Sequence, residues 1–496
     1  MLFEPLLEQA RSQPAELAII DDRGRYTYEQ LAGMAAGLGR YFESLTPQPR
    51  LGLLLPAGAG FVASFYGALL AGKTVVPLNY LLGDREITHC IADSGIDTVV
   101  TVPPLAGRVK ETSLKVVDLT QLAVASPAAA ASALSPSPSA DDVAVLMYTS
   151  GTSGLPKGVL LTYGNLQSDV DSSIEHVRFQ SRHKFLGIIP LFHAFGMTAM
   201  MLAPIQLGSS IVYMGRFSPV GTMNAIREHG ISLMGGVPSM FAAMLRLKDA
   251  SPDDFKSIYA LICGAEPLPA TLREGFHARF GVELLEAYGM TETSLAIAAN
   301  TPQKHKPGSV GTAIPGMEIN IVDEAGKPVP QGQEGEIRVK GPMVMKGYNN
   351  LPEETAAVLT EDGYFKTGDL GRLDAEGFLF ITGRKKDLII VAGEKAAPRE
   401  IEEALMAHPA VAEAAVVGKN DPTRGEVVVA FVILRDPSTS SGQGGAAAKP
   451  EELREFCRHK GLSQWKVPRE IRIVSELPRS PTGKVLKREL ALQAGS

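Results

Sequence analysis

Cysteine is scarce in this chain of 496 residues: Cys90, Cys263 and Cys457 stand far apart, with no CxxC and no Cys/His cluster. That pattern speaks against a disulfide framework or a structural zinc site and points to a reducing, cytoplasmic setting. A basic excess is missing too; the net charge of −6 gives no reason to expect a nucleic-acid partner. No apolar run reaches the roughly 20 residues needed to span a bilayer. The longest, GMTAMMLAPIQL at 196–207, is broken by Pro204 and Gln206 and reads as a buried core helix. The opening MLFEPLLEQARSQP has acidic residues early and no basic stretch ahead of an apolar core, so it does not read as a signal peptide.

Hydrophobic residues at 45% and charged residues at 21% are instead those of an ordinary globular protein, and the length exceeds what one core serves. PLLEQARSQP, LAIIDDRGRYTY and EQLAGMAAGLGRYFESL read as helix, hairpin and helix. RLGLLLPAG, FVASFYGALLAGKT and VVPLNY form a strand–helix–strand unit, and IDTVVTV adds a strand. Repetition of this pattern predicts a mainly parallel sheet with helices on its faces. Two low-complexity stretches, 125–140 and 438–450, read as surface connections. Near 381–388 the texture changes from short strands with glycine turns to alternating helices and strands, marking a compact α+β unit of about one hundred residues.

One segment stands out chemically. YTSGTSGLPKGV at 148–159 follows the apolar strand DVAVLMYTS and precedes LLTYGNLQSDVDSSIEHV, which reads as a helix from its start. Its glycines let backbone N–H groups approach an anion, its hydroxyls add donors and Lys157 adds charge. The spacing is not GxxxxGK[ST], because Gly158 follows Lys157 and no hydroxyl is placed for magnesium. On the residues alone, it is either a plain turn or a phosphate cradle.

Five further stretches accompany it in order: IIPLFHAFGM at 188–197, EAYGMTET at 286–293, YFKTGDLGRLDAEGFL at 364–379, GRKKDLIIVAGEKAAPREIE at 383–402 and PRSPTGKVLKREL at 478–490. Together they resemble the motifs of the adenylate-forming (AMP-binding) superfamily, in its acyl-CoA synthetase and fatty-acid–CoA ligase branch, over nearly the whole chain. The resemblance implies an α/β fold. It has a large N-terminal domain of mixed α/β layers with parallel sheets and a small β-barrel-like part, residues 1–385. A small mobile α+β domain, 386–496, follows a hinge at Lys386.

The same resemblance assigns roles. Thr149, Ser150, Gly151, Thr152, Ser153, Gly154 and Lys157 would hold the phosphates of ATP. Gly264, Ala265 and Glu266, in CGAEPLP, would lie along adenine, with Tyr288 stacking against it and Gly289 beside it in the nucleotide site. Thr291 would donate to a phosphate and Glu292 would ligate Mg²⁺. Asp369 would accept the ribose hydroxyls, with Arg384 as a second ribose or phosphate contact; without the family, that pair could equally be a structural salt bridge. Lys484 would bridge the substrate carboxylate and the α-phosphate. Gly393 and Glu394 would flank the pantetheine tunnel of coenzyme A.

The implied reaction activates a carboxylic acid as acyl-AMP, releases pyrophosphate and passes the acyl group to coenzyme A. Amino-acid-activating relatives usually carry an Asp in the second motif to pair the substrate ammonium. Here His193 stands there with no acid nearby, which disfavours amino acids because an unpaired buried ammonium is costly. Alone, His193 would read as a core histidine; the resemblance sets it near the acyl carboxylate and thiol tunnel. Phe192, Phe195, Gly196, Met197, Met201, Gly235 and Gly236 suggest an elongated apolar pocket for a medium- or long-chain fatty acid, with a cinnamate-type aryl acid as the alternative. A carrier-protein acceptor, a catalytically inert nucleotide binder and a luciferase-like oxygenase are the rival readings. Contact with a membrane surface, and a monomer or a homodimer, are left open.

Overall fold

The computed structural model describes residues 1–111, 113–122, 136–149, 155–435, 448–479 and 485–495. Most of both low-complexity stretches lies outside them. The chain divides into two compact units: Met1–Leu268 with Gly275–Ile319 and Val339–Phe365, and Pro269–Glu274 with Asn320–Arg338 and Lys366–Ser496.

In the first unit, local signals start the helices where the sequence places them. Thr27 caps the helix Tyr28–Leu45 in a reciprocal pair with Gln30, each side chain meeting the other's backbone N–H. The helix Ala59–Leu70 is apolar all round and almost wholly buried, as expected of a crossover packed between layers.

Among the described residues, two sheets organise this unit. One has seven strands; Lys115–Asp118, Thr98–Thr101, Arg50–Leu54, Thr74–Pro77 and Val143–Thr149 run parallel. The other has nine, with Leu17–Asp21, Ser210–Tyr213, Lys184–Gly187, Leu233–Gly236, Ala260–Cys263 and Leu284–Gly289 parallel in that spatial order. Antiparallel strands close both ends of the nine-stranded sheet and one end of the seven-stranded one, so the predicted parallel core is present.

One expectation is corrected. LLTYGNLQSDVDSSIEHV does not begin as a helix: Lys157–Thr162 is a strand paired antiparallel with Val143–Thr149. The helix Tyr163–Val177 starts only after Thr162, whose side chain caps Asn165 N while the Asn165 side chain caps Thr162 N. The run KGVLLT packs its apolar Val159, Leu160 and Leu161 in a strand beside its neighbour, and the cap fixes where helix can begin. The glycine-rich segment therefore joins two antiparallel strands, not a strand and a helix.

In the second unit, a five-stranded sheet carries apolar residues on both faces. Val416, Val428, Ala430 and Val432 pack under the helices Pro398–Met406 and Pro450–His459, against Ile401, Leu405, Leu453 and Cys457. The alternating Ala415, Val417, Val429 and Phe431 pack against Leu477, Leu490 and Ala494 of the other face. Each fully buried Val or Leu contributes about 1.5–3 kcal/mol, enough here for a core of the unit's own. A four-stranded sheet, mainly in this unit, includes Phe365–Leu373 and Leu379–Arg384. No helix among the described residues is long and apolar enough to cross a membrane.

Candidate active site

In the nine-stranded sheet, the parallel strands Leu233–Gly236, Ala260–Cys263 and Leu284–Gly289 end side by side. Gly236, Gly264 and Gly289 therefore gather at their carboxyl ends, where open α/β sheets bind ligands. Gly264 N donates to Gly236 O at 3.1 Å, Ala265 has φ 69° and is exposed, and Glu266 and Tyr288 are half-buried. The sequence-predicted adenine contacts thus share one rim.

Beyond Gly289 the chain folds back tightly. A Cβ at Gly289 would collide with the Leu295 carbonyl oxygen, which accepts the Met290 N–H at 2.9 Å; only glycine permits this approach. Leu295 N then donates to Thr293 O at 2.7 Å around Ser294, whose φ of 64° and ψ of −38° make a γ-turn of the rare positive-φ hand. Such a conformation costs on the order of 1–3 kcal/mol for a residue with a side chain. This turn carries Thr291 and Glu292.

Glu292 Oε1 accepts a hydrogen bond from the Tyr348 hydroxyl at 2.9 Å. Burial first, and then the Glu292 charge, push the Tyr348 phenol well above its ordinary pKa, which keeps it a donor. The Lys157 ammonium lies 5.2 Å from the centre of the Tyr348 ring and pairs with Glu354 Oε2 at 2.7 Å. Lys157 sits directly across the ladder from Thr149. Lys157 and Glu292, 135 positions apart in the chain, are thus joined through one tyrosine. Ser150, Gly151, Thr152, Ser153, Gly154 and Lys484 lie outside the described residues.

No group of three or more His, Cys, Asp or Glu side chains able to hold a metal occurs among the described residues. A lone Glu292 fits an ion that arrives with its own ligands, since Mg²⁺ commonly takes one or two carboxylates and completes its shell with substrate phosphates and water. The donor set therefore suits MgATP as a substrate rather than a resident metal.

The stretch around His193 is built differently. His193 has its Nε2 buried without a hydrogen-bond partner, and burial lowers its pKa to about 4, so the ring is neutral. Phe192 packs edge-on to it at 4.7 Å and to Tyr80 at 4.9 Å. Phe195–Leu202 is wound as a π-helix, a rare form often found at functional sites. Here the expectation of a buried helix holds, with a different winding. Phe195 lies over Gly235, where a Cβ would come within 2.7 Å of its Cζ. Gly196 is pressed against the Pro190 carbonyl, Met197 and Met201 are fully buried, and Gly236 faces Phe241. Phe195, Gly235 and Gly264 are brought together, whereas Phe192 packs on Tyr80 and His193.

Behind the Glu292 turn lies a residue that the sequence reading missed. Asp169, on the helix Tyr163–Val177, is fully buried; its Oδ1 accepts the Ala296 N–H at 2.9 Å and its Oδ2 has no partner. Burial, partly opposed by that N–H, pushes its carboxyl up to about 8. Tyr348 and Glu354 were missed as well.

In the second unit, Arg384 Nε donates to Asp369 Oδ1 at 2.9 Å from directly opposite positions of adjacent antiparallel strands. Asp369 is buried, and its backbone N–H meets Thr367 Oγ1 at 3.1 Å. The ion pair weighed from the sequence is therefore real. Lys386 lies in the one-turn 3₁₀ helix Lys385–Asp387, and Gly393 and Glu394 lie at the tight turn between Ile389–Val391 and Glu394–Ala396.

Comparison with known proteins places these features in a family. A family model described as AMP-binding enzyme matches residues 6–349, and one described as AMP-binding enzyme C-terminal domain matches residues 400–484. A long-chain-fatty-acid–CoA ligase of Bacillus subtilis (strain 168) is 35% identical over 98% of this chain and 93% of its own length. A feruloyl-CoA synthase of an Amycolatopsis species is 33% identical over 99% of this chain and 98% of its own. Among solved structures, an O-succinylbenzoate coenzyme A synthetase from Bacillus subtilis, in complex with ATP and magnesium ion, superimposes with a TM-score of 0.85 at 32% identity, covering 98% of both chains.

Proposed function

The chain belongs to the AMP-binding enzyme family, as an AMP-forming acid–CoA ligase, and on that premise we propose that it activates a medium- or long-chain fatty acid with MgATP and transfers it to coenzyme A. The observation that carries this reading is the apolar wall around Phe195, Met197 and Met201 beside a neutral His193. The stretch 188–202 holds no acid to pair an ammonium. An aryl acid is the second reading, favoured by the feruloyl-CoA synthase relative.

The first step joins a carboxylate oxygen to the α-phosphorus as the bond to the β-phosphate oxygen breaks, and pyrophosphate leaves with that electron pair. Charge grows on the α-phosphoryl oxygens, where Lys484, Thr291 and the Mg²⁺ that arrives with ATP would act by electrostatic stabilisation, while Lys157 and its loop would hold the β- and γ-phosphates. Lys484 is assigned to this step. In the second, the coenzyme A thiolate attacks the acyl carbon and AMP departs; Lys386 is assigned as the hinge of the C-terminal domain 386–496, with Gly393 and Glu394 beside the pantetheine. Asp369 and Arg384 are assigned to the ribose.

A pyrophosphate-release panel of fatty, aryl and amino acids, each with and without coenzyme A, tests the reading. Release with dodecanoate and palmitate, and thioester only when coenzyme A is present, is expected. Stronger turnover of ferulate would transfer the assignment to aryl acids.

A further inference from the structure

The turn that presents Thr291 and Glu292 is strained at Ser294, so something must hold it. Four hydrogen bonds do so from elsewhere in the unit. Ser294 Oγ donates to Met343 O at 2.9 Å, and Ser294 O accepts from Thr198 Oγ1 at 3.4 Å. Met345 N donates to Glu292 O at 2.8 Å, and Ala296 N donates to Asp169 Oδ1 at 2.9 Å. Ser294, Thr198 and Asp169 are all fully buried.

Asp169 is the odd member. A carboxyl sealed in a core with one oxygen unpartnered is costly and calls for a reason. Its reason lies in register: Ala296 pairs with Gly289 at the irregular end of the strand pair, next to the glycine that makes the fold-back possible. Fixing Ala296 N fixes Leu295 O, which takes the Met290 N–H and so sets the start of the Thr291–Thr293 turn. Thr198 sits on the π-helix that follows His193, so the same clamp ties the acyl-facing helix to the metal-facing turn.

We propose that Ser294 and Asp169 are positioning residues for the adenylation half-reaction, holding Thr291 and Glu292 where MgATP needs them. The proposal rests on the reading of that turn given under Proposed function. Thioester formation from a ready-made adenylate uses neither the metal nor the departing phosphates, so it should not feel the clamp.

The test compares Ser294→Ala, Thr198→Val, Asp169→Ala and Asp169→Asn with the unaltered enzyme. It measures pyrophosphate release from dodecanoate against MgATP concentration, MgATP binding by calorimetry, and thioester formation from dodecanoyl-AMP and coenzyme A. Ser294→Ala and Asp169→Ala should slow pyrophosphate release about ten-fold or more while the thioester step changes by less than about two-fold. Asp169→Asn should retain most of the activity, because its amide oxygen can still accept the Ala296 N–H. Thr198→Val should give a smaller loss in the same direction. Equal loss of both half-reactions, an Asp169→Asn variant as poor as Asp169→Ala, or unchanged pyrophosphate release in Ser294→Ala would overturn the clamp. If Asp169→Ala does not fold, Ser294→Ala decides. Full pyrophosphate release by Glu292→Gln would instead bring down the reading of the turn itself.

Discussion

The turn that carries Thr291 and Glu292 and the π-helix Phe195–Leu202 meet at Ser294 and treat polarity in opposite ways. Around the turn, charged groups are tied in series: Glu292 to Tyr348, Tyr348 under Lys157, Lys157 to Glu354. Ahead of the π-helix, His193 is half-buried, and its Nε2 is enclosed without a partner beside Phe192. One region keeps its charges by pairing them, whereas the other removes charge by burial. On the proposed function, the contrast would suit a polyphosphate whose charge shifts during reaction on one side and an acyl group kept from water on the other.

The most damaging way to break the contrast is to neutralise the paired side. Glu292→Gln keeps an acceptor for Tyr348 but loses the charge, and pyrophosphate release should fall about 100- to 1000-fold at saturating acid. A loss below about ten-fold would place the metal elsewhere. On the buried side the effect is intermediate and appears as pH dependence. The folded His193 holds its pKa near 4, so between about 6.5 and 4 the unfolded chain takes up a proton that the folded one refuses. Stability should therefore fall as pH drops through that window, by up to about 1.4 kcal/mol per pH unit for this one group. His193→Gln should lose that slope in urea titrations at pH 7, 6 and 5. Smallest is the exposed end of the series. Glu354→Gln frees Lys157 for phosphate and should lower the KM for MgATP by about two- to five-fold at most, less at high salt. A raised KM would mean that Glu354 orients Lys157 instead of competing for it.

Sequence order made some of this legible and hid the rest. Lys157, Glu292, Asp369 and Arg384 each sit in a contiguous motif whose residue types carry their chemistry, and the strand pair 369/384 lies only 15 positions apart. Tyr348, Glu354 and Asp169 come to the site across 56, 197 and 127 positions, measured to Glu292, Lys157 and Ala296. Nothing in their own neighbourhoods advertises such partners: GYNN reads as a glycine turn, and Asp169 lies in a polar helical run. The π-winding of Phe195–Leu202 was hidden for another reason, because a helix buried on every side shows no period from which to read its pitch. The misplaced helix start at residue 160 was recoverable, since Thr162 and Asn165 spell a cap that the apolar LL before it obscured.

The hairpin rooting of Lys157 has a consequence for how the protein should feel its solution. A phosphate site seated on a helix N-terminus inherits a dipole that adds to its side-chain charge. Lys157 opens a strand, opposite Thr149, and borrows no such field from a helix of its own. Its attraction for an anion is that of a half-exposed point charge, screened over about 8 Å at physiological ionic strength. On the proposed function, capture of ATP should accordingly be governed by the ionic medium, with potassium chloride weakening the encounter.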